Sequence, residues 1–220
     1  NLNIPARSWM GWQVPLITSS HHAQAKIENI PTSNIMQSLE SGHVAVVAGF
    51  QGISPEGRIT TIGRGGSDTT AVALAAFFKA ERCDIYTDVD GVYTADPRYV
   101  SKAGKLDRIA YSEMLELSSQ GAKVLQRDSV ELAMNYGVKL RVLSSLSNLP
   151  GTLITHDHDD TQVNTISGLV HSLTESRITL THAQDSITDR IRDLLLKGGI
   201  TIDMVHETLL DDERSDISFT

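Results

Sequence analysis

From His43 to Thr87 the sequence runs through a short apolar stretch, a glycine-rich turn, an apolar helical stretch and a second apolar run, and this order is the strongest constraint on the fold. His43 to Phe50 is nearly continuous in apolar residues, the pattern of a parallel strand covered on both faces. The turn Gly63-Arg64-Gly65-Gly66-Ser67-Asp68 leads into a predicted helix over 67–80, and Cys83 to Thr87 reads as a buried strand. Strand, helix and strand in alternation predict a layered α/β domain.

The turn itself suits an anion. Gly63, Gly65 and Gly66 allow backbone angles closed to other residues and a close approach by a ligand. Ser67 or Asp68 is expected to cap the helix, whose free N–H groups carry partial positive charge. Arg64 adds a fork of donors shaped for carboxylate or phosphate. Taken alone, the stretch is equally an ordinary glycine-rich turn before a capped helix. A second motif follows at Thr87 to Arg98, T-D-V-D-G-V-Y-T-A-D-P-R. A strand ending in Thr87-Asp88 presents polar groups at its carboxyl end, where open parallel sheets hold ligands. Tyr93 offers a face for a purine, Asp88 and Asp96 suit a hydrated cation or ribose hydroxyls, and Arg98, aimed by Pro97, suits phosphate. The same residues would also make a polar surface loop around the Asp90-Gly91 turn.

The remaining chain extends the alternation. Short strands are expected near Val14–Thr18 and Ala25–Ile27 within an irregular first 32 residues, and a helix from Ser33 to Glu40 stopped by Gly42. Ser112 should cap a helix to about Gln126, a second helix covers Arg127 to Tyr136 and ends at Gly137, and Val138 to Leu143 is a strand. Pro150-Gly151 marks a change of element. Residues 156–165 are polar and read as a linker, and the alternating His156-Asp157-His158-Asp159 lacks the spacing of a metal frame. Beyond it come strands at 166–172, 177–181, 200–206 and 216–220 around a helix at 186–197, which Gly198-Gly199 ends.

A net charge of −8 is a poor basis for binding nucleic acid or an anionic membrane, and no apolar run approaches a membrane span. A single cysteine, Cys83, excludes an internal disulfide and fits a reducing, cytoplasmic setting.

The two motifs, with Gly49-Phe50-Gln51-Gly52, Thr60-Thr61 and Gly121-Ala122-Lys123-Val124-Leu125, resemble the aspartate kinases of the amino acid kinase family, from about Trp12 to Thr152. The resemblance implies an open, mostly parallel sheet sandwiched by helices over 1–155, followed by a partial α+β, ferredoxin-like ACT-type regulatory domain over 166–220. It implies transfer of the γ-phosphoryl of ATP, with Mg²⁺, to the side chain of L-aspartate, the entry to lysine, threonine, methionine and diaminopimelate synthesis. Arg64, Gly65, Gly66 and Ser67 would bind aspartate, and Asp68 would orient the site. Gly49 and Gly52 would offer N–H groups to the phosphoryl group. Thr87, Asp88, Tyr93, Thr94, Ala95, Asp96, Pro97 and Arg98 would hold the nucleotide, and Lys123 would approach it as a point charge. A lysine or threonine effector and a dimer formed through the ACT-type domains are also implied.

Two departures qualify the match. Aspartate kinases open on a lysine-glycine-glycine strand and carry a later acidic residue that helps bind aspartate, and neither motif occurs, so the chain is expected to be part of a longer enzyme and inactive alone. The D-x-P-G turn usual before the first ACT-type helix is replaced by His182-Ala183-Gln184-Asp185-Ser186-Ile187. The alternatives are another amino acid kinase, which a substrate panel would separate, and a non-catalytic amino-acid sensor, for which intact Arg64, Asp68, Asp88 and Arg98 would be superfluous.

Overall fold

The computed structural model describes residues 3–122, 124–156, 168–171, 177–184, 187–198, 205–210 and 214–219. The chain divides into two compact units, Asn1–His171 and Ser172–Thr220.

In the first unit β1 (Ala6–Trp9) pairs in parallel with β4 (Val44–Val47). Between them lie β2 (Ile17–Thr18), β3 (Ile27–Asn29) and α1 (Ser33–Glu40). After β4 come the hairpin β5 (Gln51–Ile53) and β6 (Ile59–Thr61), then α2 (Gly66–Phe77) and β7 (Cys83–Thr87). The unit continues with β8 (Arg108–Ala110), α3 (Tyr111–Ser119), α4 (Arg127–Tyr136), β9 (Leu140–Ser144) and β10 (Thr152–Thr155). Strands β7, β9, β10 and β8 form one mixed sheet in that order, and β3, β2, β5 and β6 another. The layered α/β expectation holds; the sheets are mixed, because the short returns at β10 and within the β5–β6 hairpin run antiparallel.

Helix α2 organises both cores. Its sequence from Ala71 to Phe77 has no polar stripe, and a helix apolar all round is buried on several sides. Val72 and Ala75 pack with Cys83, Ile85, Leu140 and Val142 of the β7–β9 pair. Ala73 packs with Val14, Leu16 and Ile30, where Ala45 and Val47 of β4 join the cluster. Each fully buried Val or Leu here contributes about 1.5–3 kcal/mol, so two clusters anchor one helix. Across the β7–β9 ladder Asp84 sits opposite Arg141, which donates to it at 2.6 Å, while Arg82 donates at 2.7 Å. Burial raises the Asp84 pKa, but the hydrogen bonds from Arg141 and Arg82 outweigh it and hold the carboxyl below its ordinary value.

Several boundaries differ from the sequence reading. Strand β4 stops at Val47, before Gly49 and Phe50 turn away, and Val44 and Val46 are 49% and 55% exposed, so among the described residues only one face is covered. Helix α3 starts at Tyr111 behind Ala110, whose N–H donates to Glu113 at 3.1 Å, and it ends at Ser119 because Gly121 adopts φ +102°. Helix α4 matches its predicted limits, with Gly137 left-handed at its end.

The second unit contains β11 (Ile178–Gln184), α5 (Ile187–Lys197), β12 (Val205–Leu209) and β13 (Arg214–Phe219). Its antiparallel sheet has the order β11-β13-β12. Of the strand expected at 200–206, residues 200–204 lie outside the described residues, and Val205 and His206 open β12, which runs to Leu209. Residues 168–171, expected within a strand, carry no regular structure; Leu169 N–H donates to the Thr94 carbonyl at 2.8 Å. The rest of that stretch and residues 157–165 lie outside the described residues.

Candidate functional site

The first turn of α2 is the centre of the site. Gly65 occupies the N-cap at φ +66°, a left-handed conformation, and no side chain caps the helix. This corrects the expectation for Ser67 and Asp68: the helix begins at Gly66, so both residues lie inside its first turn. Gly66 N–H donates to Gly63 and Thr69 N–H to Gly65, while the N–H groups of Ser67 and Asp68 find no acceptor among the described residues. A helix start with two N–H groups lacking acceptors suits an anion. Ser67 donates weakly to Asp68 at 3.4 Å. Burial raises the Asp68 carboxyl above its ordinary value, and that hydrogen bond only partly offsets it. Arg64 projects from the turn, exposed and without an ion pair among the described residues.

Two further loops meet this turn. At Gly49 an added Cβ would lie 3.3 Å from Ser67 Cα, so the Gly49–Phe50 backbone rests on the helix start. Phe50 adopts φ +70°, and its N–H donates to Thr70 Oγ1 at 3.1 Å. On the other side, a Cβ on Gly65 would meet Gln126 Cγ at 2.0 Å. Gln126 therefore abuts the glycine turn; Lys123, three residues before it in the sequence, lies outside the described residues.

Gly52 does not join this group. Phe50 accepts from Ile62 and Ser54 donates to Arg58, which places Gly52 opposite Thr60 on a hydrogen-bonded rung and commits its N–H to the hairpin. Thr18 Cγ2 and the Leu16 carbonyl, 2.4 and 2.7 Å from a hypothetical Cβ, explain why glycine stands there. Its expected contact with a phosphoryl group is withdrawn.

The second motif forms a pinned loop after β7. Thr87 lies opposite Ser144 in the parallel register, and its carbonyl accepts from the Ser145 N–H at 2.8 Å and hydroxyl at 3.0 Å. Thr87 Oγ1 donates to the exposed Asp88 at 3.0 Å. Thr152 Oγ1 accepts from Val92 N–H at 2.8 Å and donates to the Leu106 carbonyl at 2.6 Å, fixing both arms of the loop. Tyr93 donates to Asp90 at 2.9 Å, which raises the Tyr93 pKa, and Lys105 lies 3.7 Å from Asp90. Thr94 N–H donates to the Gly104 carbonyl, Ala95 is half-buried and Pro97 exposed.

Asp96 and Arg98 find each other. Both Asp96 oxygens accept from the Arg98 guanidinium, at 2.6 Å for the shortest, and those hydrogen bonds pull Asp96 to about 2. Asp96 thus already holds a cationic side chain, and Asp88 is the exposed carboxylate of the motif. Arg98 remains 77% exposed, so donors are still available to a ligand.

Phe50, Thr70, Gln126, Ser144 and Ser145 entered no sequence-based site. The Ser144-Ser145 pair after an apolar strand was a readable signal, since parallel strands present ligands at that edge. Phe50 stood in the quoted Gly49–Gly52 motif with no role of its own, and Gln126 had no signal, because their placement depends on long-range packing.

The sequence profile of the amino acid kinase family matches residues 3–144. An aspartate kinase of Stutzerimonas stutzeri is 46% identical over 99% of this chain and 53% of its own length. The chain spans about half the length of the curated relatives it matches. Among solved structures, Escherichia coli aspartokinase III in complex with aspartate and ADP superposes with a TM-score of 0.77 at 28% identity, over 99% of this chain and 49% of that one. The same enzyme with lysine and aspartate gives 0.73 at 26% identity, over 98% and 49%. A backbone laid out as in these kinases, with a profile match across most of the first unit, has one reading: the chain belongs to the amino acid kinase family.

Proposed function

We propose that this chain is part of an aspartate kinase, which moves the γ-phosphoryl of ATP to the side-chain carboxylate of L-aspartate and yields 4-phospho-L-aspartate for lysine, threonine and methionine synthesis. The observation that carries the reading is the uncapped α2 start, with Arg64 beside it and the Gly49–Phe50 backbone and Gln126 against it. Identity to aspartate kinases across nearly the whole chain supports it.

The chemistry needs little covalent help. An aspartate carboxylate is already ionised at neutral pH, so no strong base is required, and rate comes from alignment and charge neutralisation. Arg64 clamps a substrate carboxylate, with Gly65, Gly66 and Ser67 lining the pocket. Asp68 holds the substrate ammonium. The Gly49 N–H and the first turn of α2 face the transferring group, and Lys123 adds a positive charge. Thr87, Asp88, Tyr93, Thr94, Ala95, Pro97 and Arg98 cradle the nucleotide, with Asp96 bracing Arg98. Mg²⁺ accompanies ATP, and Asp88 is the carboxylate suited to its hydrated form.

Residues 156–165 act as a linker and 166–220 as part of an ACT-type regulatory domain that binds lysine and pairs subunits. The β-α-β-β order of the second unit and the lysine complex of the E. coli enzyme support this part. No described helix is long and apolar enough to cross a membrane, and a cytoplasmic setting is proposed.

The test is ATP-dependent aspartyl hydroxamate formation by the intact protein, with glutamate and UMP as rival acceptors. Aspartate alone should give product, and Arg64→Ala should raise the KM for aspartate more than about tenfold. Phosphoryl transfer to UMP or glutamate instead would overturn the assignment.

A further inference from the structure

Backbone donors are useful to a transition state only if they are held still, and a buried hydroxyl lies where it can help to hold the Gly49–Phe50 backbone. Thr70 is 1% exposed and lies one turn into α2. Its Oγ1 donates to the Gly66 carbonyl at 2.6 Å and accepts the Phe50 N–H at 3.1 Å. Phe50 holds φ +70° although it is not glycine, and the residue is 45% exposed. Such backbone persists only where its surroundings fix it from several sides. Here the N–H is fixed by Thr70 and the carbonyl by the Ile62 N–H at 3.0 Å. Without the Thr70 hydroxyl, the Phe50 N–H loses its partner and the peptide is free to relax toward negative φ. That rotation carries Gly49 away from the first turn of α2, where a Cβ added to Gly49 would lie 3.3 Å from Ser67 Cα.

We propose that Thr70 is a positioning residue for phosphoryl transfer: its hydroxyl locks the left-handed Phe50 and so sets the Gly49–Phe50 backbone against the helix start. The inference rests on the aspartate kinase reading for its chemistry, and on geometry alone for the lock. Valine keeps the shape of threonine and removes the hydroxyl, while serine keeps the hydroxyl.

In the intact protein, Thr70→Val should lower kcat about tenfold or more, with the KM for ATP changed less than about threefold. Thr70→Ser should stay within about threefold of wild type. Amide hydrogen exchange at Phe50 should speed up at least about tenfold in Thr70→Val and not in Thr70→Ser. A residue that merely supports the fold would lower the melting temperature but leave kcat per folded molecule and the Phe50 exchange rate unchanged, and that result overturns the proposal, as does equal behaviour of valine and serine. Should Thr70→Val not fold, Thr70→Ala is compared with Thr70→Ser in the same assays. A wild-type protein without aspartyl hydroxamate activity refutes the kinase reading instead, and the exchange measurement still decides whether the lock exists.

Discussion

Replacing Gly65 by alanine tests the junction between the glycine turn and Gln126, and its cost follows from two separate terms. At φ +66° an alanine is strained by about 1–2 kcal/mol. The new methyl would also lie 2.0 Å from Gln126 Cγ and 2.5 Å from Gln126 Cβ. The Cγ can rotate away, but the Cβ is fixed to the backbone at the N-cap of α4, so that segment must shift by an ångström or so, at a further cost of about 1–3 kcal/mol. The expected total is about 3 kcal/mol. Gln126→Gly removes the second term at little cost, since glycine is tolerated at an N-cap. The double variant should therefore recover about 1–3 kcal/mol and leave only the left-handed strain. Urea unfolding followed by tryptophan fluorescence reads the right unit, because Trp9 and Trp12, the two tryptophans of the chain, both lie in the first one. A coupling energy within about 0.5 kcal/mol of zero would refute the packing of Gln126 on the turn.

Three further outcomes are expected. Asp68→Asn should melt higher than wild type at neutral pH while losing at least about a hundredfold in aspartate turnover. Burial raises the Asp68 pKa, so its contribution to stability is present below the ordinary value of 3.8 and lost as pH rises through the folded value; the gain from asparagine should vanish near pH 3, and an equal gain there would contradict it. Asp84 has the opposite sign: its lowered pKa gives stability above 3.8 that fades as pH falls through the folded value, so Asp84→Asn should flatten the acid limb of the urea midpoint against pH. In the buried pair of Thr18 and Thr60, whose hydroxyls lie 2.5 Å apart, Thr18→Val should cost about 1–3 kcal/mol, and Thr18→Val/Thr60→Val should recover most of it in the same unfolding assay.

What the sequence disclosed divides along range of interaction. Helix α4 was readable because Gly137 ends it and its apolar positions recur at helical spacing. Strand β7 was readable from a compact apolar run between α2 and polar Thr87-Asp88. Strands β5, β6, β8 and β10, at three or four residues each, are too short to show a period and exist because neighbours complete their ladders. The glycine turn and its arginine were equally legible as composition. Its capping was not, since Ser67 and Asp68 satisfy every local rule for a cap and yet Gly65, bent left-handed under Gln126, starts the helix first. Gly52 failed for a related reason: a glycine demanded by the backbone of a hairpin looks, in a sequence, like one reserved for a ligand.

The double burial of α2 carries a consequence for how such a site works. Its alanine-rich flanks, Ala71, Ala73, Ala75 and Ala76, let two cores close on the helix from different sides. The direction of its axis is then decided during folding, so the N–H groups at its start are aimed before any ligand that the proposed function would bring there. Enlarging Ala73 or Ala75 would leave every polar group in place and still point the helix start at the wrong spot.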